Sequence, residues 1–414
     1  MKQKFNLITA IAMILLLMTL VILGACAPKA TPTASEKTTL PILSLIGLTG
    51  AYSAVWIPGQ EGEKAVINWA NETEYIPGAE LELRAFDVGD DAARGVTAYK
   101  KGMGDSPRPV IMVAHSSTLA FATSELIARD EIPHINGCTH PALQEKGWTI
   151  SYQARYDGQL CAQADYFLEN IWKESRPAKI GYMAWNNMAG KAAMSGQVPL
   201  YIESKGADYM GEVWIPPNAS DTMAQALKLK EWDVDCIICG VIYPSDEQVL
   251  IKDLDKIGMT GKFLVGHPST CDICSMVRFT GPELTSGFFQ LHPYLTRDEW
   301  PSWLESSFVS SELPDETWMS YACGVGMASM WLETLRIATN DVGVENITSK
   351  DCYNAVRKIK DYDFLWGNAM DLTEDLIGMH NYRVFELESD GAMTYTGKIQ
   401  YIPNLWPGGK DRVE

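Results

Sequence analysis

The sequence predicts an α/β protein with two doubly wound parallel sheets, one in each of two lobes. Strand-like and helix-like segments alternate over residues 40–143 and again over 158–266. Such alternation is typical of parallel strands joined by helices that cover both faces of a sheet. The chain has 414 residues, more than a single hydrophobic core usually holds, so two lobes are expected.

The first run of elements opens with a short apolar strand. Segments that are apolar throughout or alternate in polarity indicate strands, and segments with apolar residues on one helical face indicate helices. The predicted strands are 40–46, 81–86, 110–114 and 132–135, and the predicted helices are 59–70, 90–102 and a third that is capped by 115–118 and runs to about 130.

The second run repeats this pattern, and the C-terminal part of the chain completes both sheets. A hairpin is expected near the C-terminus, because two alternating strands flank turn-forming residues. The predicted helices are 158–174, 189–205, 222–230, 246–257, 298–308 and 317–338, the predicted strands are 179–184, 209–214, 235–239 and 262–266, and the hairpin is 382–400.

The N-terminus has the pattern of a bacterial export signal. Two lysines precede an apolar run over 8–23, which ends in Leu-Gly-Ala-Cys at 23–26. This tetrapeptide resembles a lipobox, in which the cysteine, here Cys26, is acylated and becomes the first residue of the mature protein. We expect 1–25 to be a signal peptide and the polar, proline-bearing segment 26–39 to be a lipid-anchored flexible tether. The alternative is a membrane helix that ends in a cysteine.

The chain is strongly acidic, with a formal charge of −18 that becomes −20 without Lys2 and Lys4. Nucleic-acid binding is not expected, since phosphate contacts need clustered lysine and arginine. After the predicted signal peptide, no segment reaches the roughly 20 uninterrupted apolar residues of a membrane span. We therefore expect an extracytoplasmic domain that is held at a membrane by its lipid.

Eight cysteines follow Cys26, and two pairs have the spacing of zinc ligands. Cys236 and Cys239 lie in a predicted buried strand, where residues three apart point to opposite faces. Such side chains could neither share a metal easily nor form a disulfide, so no metal or cofactor is expected. Cys271 and Cys274 fall in a loop or a first helical turn and fit either a local disulfide or two free thiols.

Hydroxyl-rich segments follow two predicted strands of the first lobe. Ser116, Ser117 and Thr118 lie between a buried strand and a helix, and Thr139 follows the next strand. Ligands of doubly wound folds bind beyond the carboxyl ends of the strands, and hydroxyl groups at a helix N-terminus suit a carboxylate. The alternative interpretation of these serines is ordinary helix capping.

The order of these landmarks resembles the type I periplasmic binding proteins that serve branched-chain amino-acid ABC transporters. The resemblance covers roughly residues 40–400 and depends on the order and spacing of the segments rather than on one specific motif. The segments are 47–50 after the first strand, 78–87, 116–118, 136–143 and 235–244.

The resemblance implies a chain that crosses between its lobes three times and closes around a ligand by hinge motion. Lobe 1 is expected to comprise 40–154 and 290–365, and lobe 2 to comprise 155–289 and 366–414.

It also implies the residues that contact the ligand. The family holds a carboxylate on two strand-end loops of lobe 1, while aromatic residues of both lobes are candidates to cover the rest of the ligand. Packing within the loop is the alternative for the lobe 1 aromatic residues. The candidate ligand-binding residues are Tyr52, Trp56, Ser116, Ser117, Gly137, Cys138, Thr139, Trp185, Tyr243 and His267.

The sequence departs from the family pattern where the ligand's ammonium group is usually bound. The family has an acidic residue after the strand that ends here at Gly266, and this chain has His267 instead. The tyrosine that usually follows strand 179–184 is also replaced, by Trp185. A buried ammonium needs an anionic partner, so this departure weakens the assignment to amino acids. We therefore expect either an amino acid or a related small carboxylate or amide.

The expected activity is solute capture for the permease of an ABC importer, rather than catalysis. The sequence has no Gly-x-Ser-x-Gly, P-loop or HExxH motif. Ser117 with His115 or His134 could form a nucleophile and base, so a hydrolase on this scaffold is one alternative. A ligand-presenting sensor for a separate receptor is another.

Overall fold

The computed structural model describes residues 37–413 apart from 51, 138–139, 145, 270–272, 365–368, 374–375 and 406–408. The predicted signal peptide and Cys26 lie outside the described residues, as do Cys138, Thr139 and Cys271. The hypothesis of a disulfide between Cys271 and Cys274 therefore stays a prediction. Residues 38–414 form one compact unit.

A parallel sheet of five strands occupies the first part of the described chain. Its strands are β1 (Thr38–Ile46), β2 (Ala79–Asp87), β3 (Ile111–Ala114), β4 (His134–Asn136) and β5 (Thr149–Ser151), and its helices are α1 (Ser53–Glu72), α2 (Ala92–Gly104), α3 (Ser117–Asp130) and α4 (Pro141–Gln144). The strands lie in the order β2-β1-β3-β4-β5, and every pair is parallel. Their carboxyl ends consequently meet at one edge of the sheet.

Strand β1 begins two residues before its predicted start. The backbone N–H of Thr38 donates to the carbonyl oxygen of Gly78 at 2.8 Å, and Thr38 pairs with Ala79. Thr38 and Thr39 therefore belong to the sheet rather than to the predicted tether. Strand β5 is absent from the predictions, because its three residues are too few to show a period.

The second sheet has seven strands and is mixed. They are β6 (Lys179–Trp185), β7 (Asp208–Ile215), β8 (Cys236–Cys239), β9 (Leu264–His267), β10 (Phe289–His292), β11 (Asn381–Leu387) and β12 (Met393–Tyr401). Strands β6 to β10 are parallel, and the predicted hairpin of β11 and β12 joins β10 in antiparallel pairing. The α/β fold with two largely parallel sheets is confirmed, whereas the lobe boundaries stay a prediction.

The helices of the rest of the chain correct two predictions. They are α5 (Tyr156–Tyr166), which continues as a π-helical turn (Phe167–Ile171), α6 (Met188–Ala193), α7 (Gln197–Ser204), α8 (Met223–Trp232), α9 (Pro244–Lys256), α10 (Ile273–Thr280), α11 (Pro282–Thr285), α12 (Ser302–Ser310), α13 (Trp318–Val342) and α14 (Ser349–Val356). The predicted helix 189–205 is wrong as one element, because Pro199 has no N–H to continue a helix and sits in the first turn of α7. The predicted helix 158–174 ends at residue 171.

Helices α1 and α13 cross at backbone distance, and glycines make this possible. A Cβ on Gly324 would lie 1.8 Å from the carbonyl oxygen of Gly59, and one on Gly62 would lie 2.2 Å from that of Tyr321. This crossing fixes the wall of the cavity described below. Over the described part of the chain, no helix has the length and apolar character required to cross a membrane.

Candidate ligand-binding site

A cavity with about 650 Å³ of empty volume, its open mouth included, lies where strand ends of both sheets meet. The first sheet contributes residues that follow β1, β3, β4 and β5, and the second contributes residues that follow β8 and β9. This is the position at which ligands bind in open α/β sheets. Six of the candidate residues line the cavity: Tyr52, Trp56, Ser116, Ser117, Gly137 and Tyr243.

The N-terminus of α3 presents two serines with different roles. The Ser116 hydroxyl caps the helix by accepting from the N–H of Leu119 at 3.2 Å, and it also donates to Asp90. Ser117 is 1% exposed, and its Oγ has no hydrogen-bond partner within the described structure. Ser116 therefore acts as a helix cap, whereas the hydroxyl of Ser117 suits the binding interpretation.

The Ser117 hydroxyl lies beside the first backbone N–H groups of a 14-residue helix. Such N–H groups have no partner inside the helix and carry the positive end of its dipole. A buried hydroxyl without a partner costs free energy unless a ligand or water satisfies it. This end of the cavity is therefore suited to a carboxylate or to the oxygen of an amide.

Gly137, at the end of β4, brings the backbone close to Tyr152. A Cβ on Gly137 would lie 3.0 Å from Cε1 of the Tyr152 ring, so a larger residue would push that ring aside. The Tyr152 hydroxyl is 3.2 Å from that of Tyr294 and 3.0 Å from the Cys323 sulfur. These contacts hold the Tyr152 ring, which lines the cavity, against a residue that follows β10 and one in α13.

Three aromatic rings connect the first sheet's loop to the second sheet. The ring of Tyr52 meets those of Trp185 and Tyr243 edge to face, with centroid distances of 5.5 and 5.1 Å, and Trp185 meets Tyr243 at 4.6 Å. The Trp185 indole N–H donates to Asp246 at 2.7 Å. Such pairs contribute roughly 0.5–1.5 kcal/mol each beyond their buried area. We call these three residues the aromatic clasp.

Trp185 occupies a different place from the one predicted. It is the last residue of β6 rather than the first residue after it, and its side chain is 1% exposed. It packs behind Tyr52 and Tyr243, which line the cavity, and it is not itself a lining residue. Its contact with a ligand is therefore indirect in this conformation.

His267 also lies away from the cavity lining. It ends β9, it is fully buried, and its Nε2 is 2.8 Å from a carboxylate oxygen of Glu247. Sequence reasoning did not find Glu247, because this residue comes from α9, 20 positions earlier. Ser269, two residues after His267, does line the cavity and donates to Gln153 at 3.1 Å.

A buried polar group lies behind Trp56. The Trp56 ring meets that of His115 edge to face at 4.5 Å, and the Nε2 atom of His115 is 3.0 Å from Ser44 Oγ. Burial lowers the pKa of His115 to about 3 and raises that of Glu63 well above its ordinary value. His115 is therefore neutral near pH 7, and burial favours the uncharged form of Glu63. His115 lines the cavity and entered the sequence analysis only as a base in the hydrolase alternative, whereas Glu63 was not a candidate.

The described part of the cavity lining carries no charged side chain at neutral pH. None of the described residues that line it is an aspartate, glutamate, lysine or arginine. Burial also raises the pKa of the Tyr152 phenol and of the Cys323 thiol, so both stay protonated near pH 7. The Trp56 indole N–H is buried without a hydrogen-bond partner among the described residues, which leaves a donor available to a ligand. The site thus offers hydrogen bonds and aromatic faces.

A cavity at the strand ends of two largely parallel sheets has the arrangement of a ligand-binding cleft. A family model described as periplasmic binding protein matches residues 39–392, and the chain belongs to this family. The resemblance inferred from the sequence is thereby confirmed for the family and the type I fold. No curated protein matches the chain significantly by sequence.

Solved structures with the same fold are similar over most of the chain. A branched-chain amino-acid ABC transporter protein from Thermus thermophilus with bound valine has a TM-score of 0.76 at 15% identity, covering 88% of this chain and 97% of its own. A fatty acid ABC transporter substrate-binding protein from Thermomonospora curvata has a TM-score of 0.75 at 17% identity, covering 92% and 98%. A leucine-binding protein from Thermotoga maritima has a TM-score of 0.71 at 14% identity, covering 87% and 99%.

Proposed function

We propose that this protein is an extracytoplasmic solute-binding lipoprotein of an ABC importer. It captures a small carboxylate or amide, such as an amino acid or a related compound, between two lobes and delivers it to a membrane permease. The observation that carries this proposal is the buried hydroxyl of Ser117 at the N-terminus of α3, which has no hydrogen-bond partner among the described residues. It lies in a cavity between two sheets whose described lining includes no charged side chain at neutral pH. The predicted acyl group on Cys26 would hold the protein near its permease.

Among these solutes, the chemistry of the described lining favours one without an ammonium group over an amino acid. Transfer of an ammonium ion into a buried site is costly without an anionic partner, and the described lining residues include no carboxylate. Binding of a carboxylate is more favourable than binding of an ammonium ion, because the α3 N-terminus provides the Ser117 hydroxyl and the positive end of the helix dipole. Similar structures include one with bound valine and one named for fatty acids, so the fold serves both amino acids and plain acids.

Binding is expected to close the two lobes. A ligand that touches residues of both sheets binds the closed form better than the open one and shifts the equilibrium toward closure. Tyr52 and Tyr243 come from different sheets, line the same cavity and touch each other. The closed form then docks on the permease, while the ATP-hydrolysing subunits lie elsewhere in the transporter.

A hydrolase is a weaker alternative, because the histidines near Ser117 are otherwise engaged. The Nε2 atom of His115 lies within 3.0 Å of Ser44, and that of His134 accepts from the backbone N–H of Ala114 at 3.2 Å. Burial lowers the pKa of both histidines to about 3, which makes them poor bases near pH 7. A ligand-presenting sensor would use the same cavity and would differ only in its partner.

Native mass spectrometry of the purified full chain tests the proposal directly. We expect a small acid or amide to co-purify and to be released on unfolding, and calorimetry with that compound to show one site per chain. A protein that binds no carboxylate or amide from a broad panel would contradict the proposed function. Globomycin treatment tests the lipid anchor separately, since it should leave a precursor that still carries its signal peptide.

A further inference from the structure

We propose that Cys239, Glu247 and His267 form a binding site for a divalent transition metal ion of the zinc type. The three residues come from three elements: the end of β8, the first turn of α9 and the end of β9. Their sulfur, oxygen and nitrogen ligand atoms all lie within 4.8 Å of one another. Each side chain is 0–1% exposed, so the cluster, called the Cys-Glu-His cluster below, is buried.

The His267 ring lies between a backbone carbonyl group and Glu247. The Nδ1 atom of His267 is 3.4 Å from the backbone oxygen of Phe289, which can only accept. Nε2 of His267 lies 2.8 Å from Glu247 Oε1, and with the ring proton on Nδ1 it would present its lone pair to a metal ion. A backbone carbonyl on the far nitrogen is also the usual support of a metal-binding histidine.

Glu247 supplies a second, independent observation. Its other oxygen, Oε2, is buried and has no hydrogen-bond partner in the described part of the molecule. A buried carboxylate oxygen without a partner is costly. A metal ion bound to Glu247 would satisfy this group.

The charges of the cluster balance a divalent ion. Binding converts the Cys239 thiol to a thiolate and releases one proton to solvent as the sulfur–metal bond forms. The thiolate, the Glu247 carboxylate and the neutral His267 ring then carry two negative charges, which a divalent ion cancels. A buried site with no net charge avoids the high free-energy cost of an isolated charge.

The ligand types select the metal. A thiolate with an imidazole and one carboxylate favours zinc and similar ions over magnesium or calcium, which prefer oxygen ligands throughout. Ligand atoms on a tetrahedral zinc ion lie roughly 3.3–3.7 Å apart, as follows from bond lengths of about 2.0–2.3 Å. The widest pair, within 4.8 Å, would have to approach by about 1 Å, and Nε2 and Oε1, which are 2.8 Å apart, would have to separate by about 0.5–1 Å. Water would take the fourth position.

The place of the cluster suggests what the ion would do. Val241 and Ser269 line the ligand cavity, and each lies two residues beyond a member of the cluster, Cys239 and His267 respectively. A bound ion would connect the ends of β8 and β9 to α9, next to the part of the cavity wall that the second sheet contributes. We expect it to stabilise this wall rather than to contact the solute.

Cobalt substitution tests the site on the full chain, purified without a polyhistidine tag and freed of metal with a chelator. Added Co²⁺ should give the absorption of tetrahedral cobalt and a sulfur-to-cobalt charge-transfer band, saturating at one ion per chain. Elemental analysis should find one zinc per chain after Zn²⁺ loading and dialysis. The Tm should rise with Zn²⁺.

Matched variants assign the ligands. Cys239→Ser should abolish the charge-transfer band, and Glu247→Gln should weaken Co²⁺ binding by at least tenfold. Cys236→Ser is the control, because Cys236 is buried in the same strand but outside the cluster, and it should keep the band. If Cys239→Ser does not fold, the Co²⁺ titration of the wild-type protein still tests whether the site exists. Absence of the bands, or retention of the charge-transfer band in Cys239→Ser, would overturn the site, and neither result bears on solute binding.

Discussion

His115 and Glu63 lie side by side behind the cavity, with Nε2 of the histidine 3.3 Å from Oε1 of the glutamate, and both side chains are fully buried. The contact is not an ion pair. Burial lowers the pKa of His115 to about 3, helped by nearby His134, and raises that of Glu63, which Lys64 lowers only in part. Behind Trp56, a neutral imidazole therefore meets a carboxyl group whose uncharged form is favoured by burial.

The first prediction concerns pH and the buried histidines. The pKa of His115 and of His134 is about 3 in the folded chain and near 6.5 in the unfolded chain. Between these values the unfolded chain binds more protons, so stability is complete above about pH 6.5 and falls as the pH drops toward 3. Acidification from pH 7 to pH 5 should therefore lower the free energy of unfolding by about 2 kcal/mol for each of the two histidines.

Denaturant unfolding at pH 5 and pH 7 checks this prediction. His115→Gln should reduce this loss of unfolding free energy on acidification by about 2 kcal/mol, the contribution of one histidine. Glu63→Gln is the control with the opposite sign, because a raised carboxyl pKa gives stability that is present below about pH 4.5 and declines as the pH rises. An unchanged pH dependence in His115→Gln would contradict the assignment.

The second prediction separates the two serines of the α3 N-terminus. Ser117→Ala removes a hydroxyl without a partner in the described structure, so stability should hardly change. Affinity for the co-purifying acid should fall about 10–100-fold, the loss of one hydrogen bond to a charged group. Adding Thr139→Val should weaken binding further, as the family resemblance implies. Calorimetry measures the affinity and thermal unfolding the stability.

Ser116→Ala is the matched comparison for this experiment. Ser116 caps α3 through Leu119, and loss of a cap costs about 1 kcal/mol of stability. We therefore expect a lower Tm in Ser116→Ala and an unchanged Tm in Ser117→Ala. Equal affinities of Ser117→Ala and the wild type would rule out the carboxylate pocket at this helix.

The third prediction concerns the aromatic clasp. Tyr52 contacts both Trp185 and Tyr243, so Tyr52→Ala removes two edge-to-face contacts between the lobes. The closed form should lose roughly 1–3 kcal/mol relative to the open form, and the radius of gyration with solute should rise toward that of the free protein. Small-angle scattering with and without the co-purifying solute measures this change.

Tyr395→Ala provides the control for the clasp. Tyr395 packs on Phe385 in the hairpin of the second sheet and does not line the cavity. Its replacement should leave both affinity and compaction unchanged. A Tyr52→Ala protein that compacts as fully as the wild type would show that the clasp does not stabilise closure.

The order of strands and helices could be predicted because most elements are long enough to show a period. Strands β5 and β10 were missed because they are short and contain polar residues, as in Thr149–Ser151. Equally short strands such as β3 and β8 were found because they are apolar throughout. The glycine- and serine-bearing loops after β1, β3 and β4 were found because strand ends and helix caps are local features. Five candidate residues from these loops, together with Tyr243 after β8, consequently line one cavity.

The contacts that give the cavity its character could not be predicted, because they join distant parts of the chain. Glu63 and His115 are 52 positions apart, and a glutamate in a predicted helix is ordinarily assigned to the solvent side. The Cys-Glu-His cluster likewise has no motif spacing, and the sequence drew attention to Cys236 and Cys239 as a pair instead. Both contacts depend on how helices pack over the sheets.

The last prediction tests the crossing of α1 and α13, which forms one wall of the cavity. Gly324→Ala would place a methyl group 1.8 Å from the carbonyl oxygen of Gly59, so the helices must separate. Overpacking of this kind typically costs 1–3 kcal/mol, and solute affinity should fall because Trp56 and Ser320 line the cavity from these helices. Gly104→Ala is the control, since nothing lies within 4 Å of its Cβ and α2 gains helix propensity there. Denaturant unfolding and calorimetry should therefore show lower stability and affinity for Gly324→Ala alone, and equal behaviour of the two variants would contradict the close crossing.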